Sequence, residues 1–304
     1  MKKLISILAV CFSLVLVTAC GSSGNSGDSA NGGGSSEANS GGSGSLLAKI
    51  KKRGYVTVGF SNEAPYAYKD DNGKLTGAAV EVARAVFNKM GVKVKGQLAD
   101  WGQLIPSVKS GKLDVITAGM AIKPTRCKQI DFAHPSVVYG EGIVVKKGNP
   151  KNLHSYKDIA KTGVKVAVLN GGTEVDFLKA SGVKKSQIEL VSSVSDGFSA
   201  VKTGRAAVST ATALTVKKAI KSSGGSALEY VKDFKQPDVK GVPSYGAAGF
   251  NKNADKLREA FNKNLKELRD SGKLKKIVTD LPLWDENNLY KPGKDPTTKE
   301  LCQG

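Results

Sequence analysis

The residues that could carry chemistry in this chain are few: the acids Glu63, Glu141 and Glu174, the histidines His134 and His154, and the cysteines Cys20, Cys127 and Cys302. Carboxyl and imidazole groups become catalytic when spacing delivers them to one another or to a metal. The two histidines stand apart, with no HExxH and no His/Cys metal spacing. No Walker A loop, GxGxxG or GxSxG turn occurs. The sequence therefore points to no enzyme, no metal and no cofactor. Glu63, Glu141 and Glu174 are the acids that would serve if catalysis existed; polar contacts or surface charges are the simpler reading. Cys127 and Cys302 form an even pair, which outside the cytosol reads as a disulfide, with two free thiols as the alternative. Such a bond would pin the C-terminal tail to the body. Its chain-entropy value is on the order of 5 kcal/mol before native strain.

The setting of Cys20 is different. Lys2 and Lys3 precede an apolar run over residues 4–17, a positive n-region and an h-region too short to span a membrane stably. The run ends Val17-Thr18-Ala19-Cys20, which resembles a bacterial lipobox. Residues 1–19 then read as a signal peptide and Cys20 as the lipidated new N-terminus. An ordinary secretory signal with an incidental cysteine is the alternative. Of the 25 residues 21–45, 18 are Gly or Ser. Such a stretch buries no core and behaves as a flexible tether, with a reach of roughly 25–30 Å. Residues 20–45 are accordingly expected to hold a soluble body near a membrane.

The chain has 304 residues and 40% hydrophobic composition, enough for a large core, and no second long apolar run. This excludes a wholly disordered chain, a coiled coil and a multi-pass membrane protein. The formal charge of +19 raises the question of nucleic acid. From residue 46 onward there are 44 basic and 25 acidic residues, and only six of the basic ones are Arg. The lysines are scattered, aromatic and basic residues do not interleave, and the leader exports the chain. A solvated basic face beside an anionic membrane or wall fits better.

The elements that must position these residues alternate. Residues 55–60 read as a strand. Ala79, Val82, Ala83, Val86 and Met90 recur at helical spacing, with Gly91 at the C′ position. Asp100 can cap a short helix carrying Leu104, Ile105 and Val108, and residues 113–118 read as the next strand. Strands follow at 142–146 and 164–169, with a Ser155-x-x-Asp158 capping box before a helix and a helix over 174–180. Residues 237–249 look like a connection back, and 255–270 like an amphipathic helix. One echo stands out. Residues 108–118 and 201–211 both read as helix end, Gly stop and strand, as if one unit were used once in each of two lobes. Alternation of this kind argues an α/β protein with mainly parallel sheets.

Three segments together resemble the family 3 extracellular solute-binding proteins of ABC importers. They are Gly59-Phe60-Ser61-Asn62-Glu63-Ala64-Pro65-Tyr66, then Asp114-Val115-Ile116-Thr117-Ala118-Gly119-Met120 leading to Lys123-Pro124-Thr125-Arg126, then Ile130-Asp131-Phe132-Ala133-His134-Pro135. The Arg126-Cys127 step, Lys147-Gly148-Asn149-Pro150, Ser155 to Ile159 and the late Leu301-Cys302 are similar to the ectoine/hydroxyectoine-binding branch. The resemblance implies a type II periplasmic-binding-protein-like α/β fold with two lobes and two hinge crossings, each lobe a mainly parallel sheet flanked by helices. On that plan lobe 1 comprises residues 46–138 and 245–290, and lobe 2 residues 142–235. The hinge is 139–141 and 236–244, and 291–304 is a C-terminal tail. The implied partners are a small zwitterionic solute, the transmembrane subunits of an ABC permease, and a membrane met through the lipid. The chain would act outside the cytoplasm as a monomer, at a Gram-positive type of surface, and without nucleic acid.

The resemblance also implies roles. Arg126 would clamp the ligand carboxylate, because a guanidinium fork pairs bidentately where Lys does not; pairing with Asp131 is the alternative. Gly119, Gly172 and Thr173 would line the site, with Thr173 at a strand-to-helix turn whose N–H groups face the same carboxylate. Tyr66 and Trp101 would be aromatic walls, each contributing about 0.5–2 kcal/mol to holding a cation. Glu63 would face the cationic end. Amino-acid binders of the family place an acid in the second lobe where this chain has Thr212, so a ligand without a free α-amino group is expected, ectoine first and a betaine second. The ectoine branch carries a third aromatic where this chain has Ala121, so the cage would be open on that side or completed by Tyr245 or Phe60. A polar amino-acid binder, a dehydratase-like enzyme on the same fold and a signalling receptor domain are the alternatives.

Overall fold

The computed structural model describes residues 44–222 and 227–303. The expected signal peptide and Cys20 lie outside the described residues. So does the tether, apart from Gly44 and Ser45; Ser45 caps the first helix, Leu46–Arg53, by accepting from the Ala48 N–H at 3.4 Å.

Two five-stranded sheets organise the chain. In the first, strand Tyr55–Phe60 pairs in parallel with Lys93–Leu98 on one side and Val115–Ile116 on the other. Gly249–Phe250 and Asp131–Phe132 extend it antiparallel. In the second, Val166–Leu169 pairs in parallel with Ile188–Val191 and Val208–Thr212, and Glu141–Lys146 and Leu228–Tyr230 extend it antiparallel. Each sheet is thus three strands paired in parallel, then one strand of opposite direction, then an edge strand that again runs with the first three. Parallel pairing demands a crossover, and helices supply it.

The helices bury one face each. Helix Ala78–Asn88 turns Val82, Val86 and Phe87 into the first core, where they meet Leu257, Phe261 and Leu265 of helix Asp255–Asp270. Phe261 stacks edge-on against both Phe87 and Phe250, with centroids 5.5 Å apart in each pair. The second core gathers Ile143, Tyr156, Ile159, Val166, Val168 and Leu178. The 108–118 and 201–211 segments adopt the same unit: a helix ending at Lys109 or Thr203, a left-handed glycine (Gly111 φ +76°, Gly204 φ +84°), then the third parallel strand of its sheet.

Some local expectations change. The strand expected over 113–118 is confined to Val115–Ile116, because the chain leaves the sheet beyond Ile116 to approach the cleft. Asp100 stands before a 3₁₀ turn, Trp101–Gln103, but makes no side-chain capping bond. Only half of the Ser155 box forms: Ser155 Oγ accepts from the Asp158 N–H at 3.1 Å, but the Asp158 carboxylate accepts from the His154 N–H at 3.0 Å, one residue before the cap. The tail is not simply extended, since Thr298–Gln303 is helical.

The chain passes between the sheets at two places. Val137–Tyr139 pairs antiparallel with Ser244–Gly246, and Glu141 follows at once on the second sheet. Gln236 bonds the two crossings: its Oε1 accepts from the Glu141 N–H at 2.7 Å, and its Nε2 donates to the Glu141 carbonyl at 2.8 Å. Gly140 permits this approach, since a Cβ there would lie 2.5 Å from Gln236 Oε1.

Cys127 and Cys302 are joined with Cα atoms 5.6 Å apart. The bond attaches helix Thr298–Gln303 to the four-residue helix Pro124–Cys127, which carries Arg126. So short a helix has almost no intrinsic stability and relies on what it is fastened to. Removing a native cross-link costs about 2–5 kcal/mol, a fall of roughly 5–15 °C in melting temperature for a body of this size. Calorimetry of Cys302→Ser should give a fall in that range; an unchanged melting temperature would deny the bond a structural role.

Candidate functional site

Between the two sheets lies a small, nearly closed cavity of about 20 Å³. The first lobe contributes Glu63, Tyr66, Trp101, Gly119, Ala121 and Arg126, and the second Leu169, Gly172, Thr173, Glu174 and Thr212, with Tyr139 standing at the crossing. Every residue expected to bind ligand is on this wall. A wider groove runs past Glu63 and Trp101 to solvent, between Asp100 on one side and Ser193 and Lys218 on the other.

Arg126 is only 4% exposed. Its Nη1 donates to the Ala121 carbonyl and its Nη2 to the Gly171 carbonyl across the cleft, both at 2.9 Å. The alternative partner Asp131 is engaged elsewhere, with Lys252 at 3.0 Å. Gly171 O also accepts from Trp101 Nε1 at 3.1 Å, and the guanidinium carbon sits 5.5 Å from the Trp101 ring centroid. Lys123 pairs with Asp176 at 2.8 Å, and Thr215 Oγ1 donates to Glu63 at 3.0 Å. These contacts hold the lobes together around the cavity.

The aromatic wall is more extensive than expected and differently made. Tyr66, 2% exposed, meets Tyr139 and Trp284 edge-on with centroids 5.1 Å away in each case. Tyr139 OH donates to the Gly119 carbonyl at 2.7 Å. Gly119 has φ +65°, and a Cβ there would lie 2.7 Å from the Tyr66 ring, so two constraints require glycine. The third aromatic is Tyr139. Phe60 and Tyr245 do not complete the cage: Phe60 packs with Ala67 and Val80, and Tyr245 stacks on Tyr290. Phe60 lies on a strand whose alternate residues face the sheet's other side, and Tyr139 is missed by sequence reasoning because its strand is only three residues long.

Thr173 occupies the position before helix Glu174–Ala180 but makes no capping bond with its side chain. Its hydroxyl favours the charged form of the Glu174 carboxyl instead. Glu174 is itself buried on the cavity wall, against the expectation of a surface charge, and a Cβ on Gly172 would lie 2.5 Å from its Oε2. Thr212 Oγ1 donates to Thr215 Oγ1 at 2.9 Å, which in turn donates to Glu63, so the two hydroxyls form a relay to that carboxylate. Among the described residues no cluster of His, Cys, Asp and Glu could hold a metal ion.

Charge in the cleft is lopsided. Burial, and then the Glu174 charge, push the Glu63 carboxyl up to about 8, against the Thr215 hydrogen bond and Arg126. Burial also raises Glu174 and lowers Arg126. Glu63 thus stays protonated in the fold while an unfolded chain ionises it above pH 4.5. Stability from this group is complete below that value and is lost as pH climbs to about 8. Melting temperatures measured from pH 5 to 8.5 should fall for the native protein and fall less steeply for Glu63→Gln; parallel curves would contradict this.

Comparisons with known proteins follow the same outline. The family model for bacterial extracellular solute-binding proteins, family 3, matches residues 56–280. A probable amino-acid ABC transporter periplasmic-binding protein of Sinorhizobium fredii is 38% identical over 261 residues, 84% of this chain and 85% of that protein. The crystal structure of EhuB in complex with hydroxyectoine superposes with a TM-score of 0.75 at 30% identity, covering 84% of this chain and 97% of EhuB. An ancestral amino acid-binding protein described as a precursor of cyclohexadienyl dehydratase gives 0.68 at 30% identity, covering 78% and 99%.

Proposed function

The chain belongs to the bacterial extracellular solute-binding proteins of family 3, and from that premise we propose that it captures a small carboxylate-bearing zwitterion between its lobes and delivers it to an ABC permease. The observation that carries this reading is the placement of Arg126. It is the buried guanidinium of the cleft, it sits at the seam, and it already bonds carbonyl groups of both lobes. A ligand carboxylate would replace two neutral acceptors with a charged one and strengthen both bonds. Its cationic end would face Glu63, between Tyr66, Trp101 and Tyr139. Contacts to both lobes favour the closed form, which the permease would recognise.

The leader supports a further part of the reading. Cys20 would carry lipid and the Gly/Ser tether would keep the body outside the cytoplasm, near the membrane. No helix among the described residues is long and apolar enough to cross a membrane. The Cys127–Cys302 bond suits that oxidising side.

For the ligand, ectoine or hydroxyectoine is the reading supported by the three aromatics and by the likeness to EhuB. A polar amino acid is the second reading, favoured by the half-buried acid Glu63, the buried acid Glu174 and the relative from Sinorhizobium fredii. Calorimetric titration of the purified protein with ectoine, hydroxyectoine, L-glutamine and L-arginine separates the two. Micromolar or tighter binding of the first pair with full recovery of ligand is expected. Strong binding of the amino acids alone would replace the ligand, and turnover would replace the class. Removing one partner from a buried charge pair costs about 3–5 kcal/mol, or roughly 10²- to 10⁴-fold in affinity. Arg126→Ala should lose at least that much while keeping native circular dichroism; retained affinity would take Arg126 out of the site.

A further inference from the structure

Thr212 stands where an acid was expected, and the strand register shows what lies beside it. Thr212 on strand Val208–Thr212 pairs directly with Glu141 on strand Glu141–Lys146. Residues directly opposite in an antiparallel pair project from the same face, with Cβ atoms about 4.5–5.5 Å apart. An acid is therefore present on the expected face, one strand over.

The state of that acid is unusual. Glu141 is 1% exposed, and neither of its carboxyl oxygens has a hydrogen-bond partner. An unsatisfied buried acceptor costs about 1–3 kcal/mol, and an unpaired charge costs more. Its root is nevertheless fixed, because Gln236 holds both its main-chain N–H and its carbonyl. Glu141 stands behind the wall residues Thr212, Tyr139 and Tyr66 rather than on the wall. The charged groups that act on it are Glu174 from the second lobe and Glu63 from the first, and its own charge is felt by the phenols of Tyr66, Tyr139 and Tyr156. Arg126 acts on Glu63 and Glu174 instead.

We propose that Glu141 is a specificity-determining acid of the cleft, standing in for the one missing at Thr212 and favouring ligands whose cationic end carries N–H groups over those whose nitrogen is fully alkylated. The inference rests on the cleft being a site for a carboxylate zwitterion, and it deepens that reading. From its place beside the cavity the carboxyl acts through its field, and gains most from a cation that can come close, as one bearing N–H groups can. A quaternary ammonium brings charge without donors, and its bulk holds that charge farther off. Amidinium and primary ammonium zwitterions both qualify; betaines do not. This corrects the expectation drawn from Thr212 alone, since an anion for a buried ammonium is available after all.

Burial, then Glu174 and Glu63, hold the Glu141 carboxyl well above the usual carboxylate range. Before ligand enters, the group is neutral; a cation nearby favours its ionised form, and the proton leaves to solvent. Ligand-free, Glu141→Gln should be more stable than the native protein at pH 8 than at pH 5, because it removes a cost that grows as pH rises above the ordinary carboxylate value.

The test uses the full-length protein and Glu141→Gln, titrated at pH 8 with ectoine, L-glutamine and glycine betaine in phosphate and in Tris. The native protein should prefer an N–H-bearing ligand to glycine betaine and release protons on binding it. Glu141→Gln should bind that ligand at least tenfold more weakly, narrow the preference over glycine betaine, and release fewer protons. An unchanged preference and proton count would overturn the proposal. So would a variant less stable than the native protein at both pH values, since the acid would then be structural. If the native protein binds none of the three, the reading of the cleft fails first and takes this inference with it.

Discussion

One guanidinium and three carboxyls are drawn out of water at or beside the seam between the lobes. Arg126, Glu141 and Glu174 are buried there and Glu63 is half-buried. In that setting a charge must find a partner, bond to dipoles or give up its ionisation. Arg126 takes the second course, through the Ala121 and Gly171 carbonyls. The carboxyls take the third, each shifted toward its neutral form, chiefly by burial. The closed arrangement is thus short of one anion near Arg126 and one cation near the acids. On the proposed reading a zwitterion of matching length would supply both, and its binding free energy would go partly into the closed form itself, as a population shift requires of a ligand.

The scaffold serves that balance by bringing small residues where backbones must approach. Gly119 lets the Tyr66 ring lie against the main chain, and its carbonyl orients Tyr139. Gly171 offers one carbonyl to two donors from the opposite lobe. Gly140 lets Gln236 hold the first crossing by its main chain. The short helix that carries Arg126 is fastened from outside, through Cys127 to the tail. None of these positions contributes much apolar burial; they fix where the charged groups come to rest.

How much of this could be read in the sequence follows from the range of each interaction. The helix at 174–180, the strand at 55–60 and the helix at 255–270 were legible because hydrophobic period and end signals act within a few residues. The repeated helix–glycine–strand unit was legible for the same reason. The wall residues from Glu63 to Thr212 were named through the family resemblance, which carries long-range information that composition does not. Tyr139 was missed because a three-residue crossing strand has no period to read. Glu174 was given a bland role because an acid in a first helical turn ordinarily faces solvent. The partnership of Glu141 with Thr212 was out of reach, since it depends on register between strands about seventy residues apart in sequence.

Tyr139 links the wall to the hinge in a way that bears on selectivity. Its strand is one of the two crossings, its hydroxyl is tied to Gly119 in the first lobe, and Glu141, two residues on, starts the second sheet. If the lobes rotate on ligand capture as proposed, they would turn about this stretch, and the third aromatic face and the Glu141 carboxyl would move with closure rather than wait in either lobe. Ala121 leaves space on the first-lobe side, and Tyr139 takes up the aromatic role from the crossing. A ligand too large for the closed wall would therefore hold Tyr139 away from Gly119 and cost the hydrogen bond between them. Shape selection and closure are then the same event, read out at a residue that belongs to neither lobe.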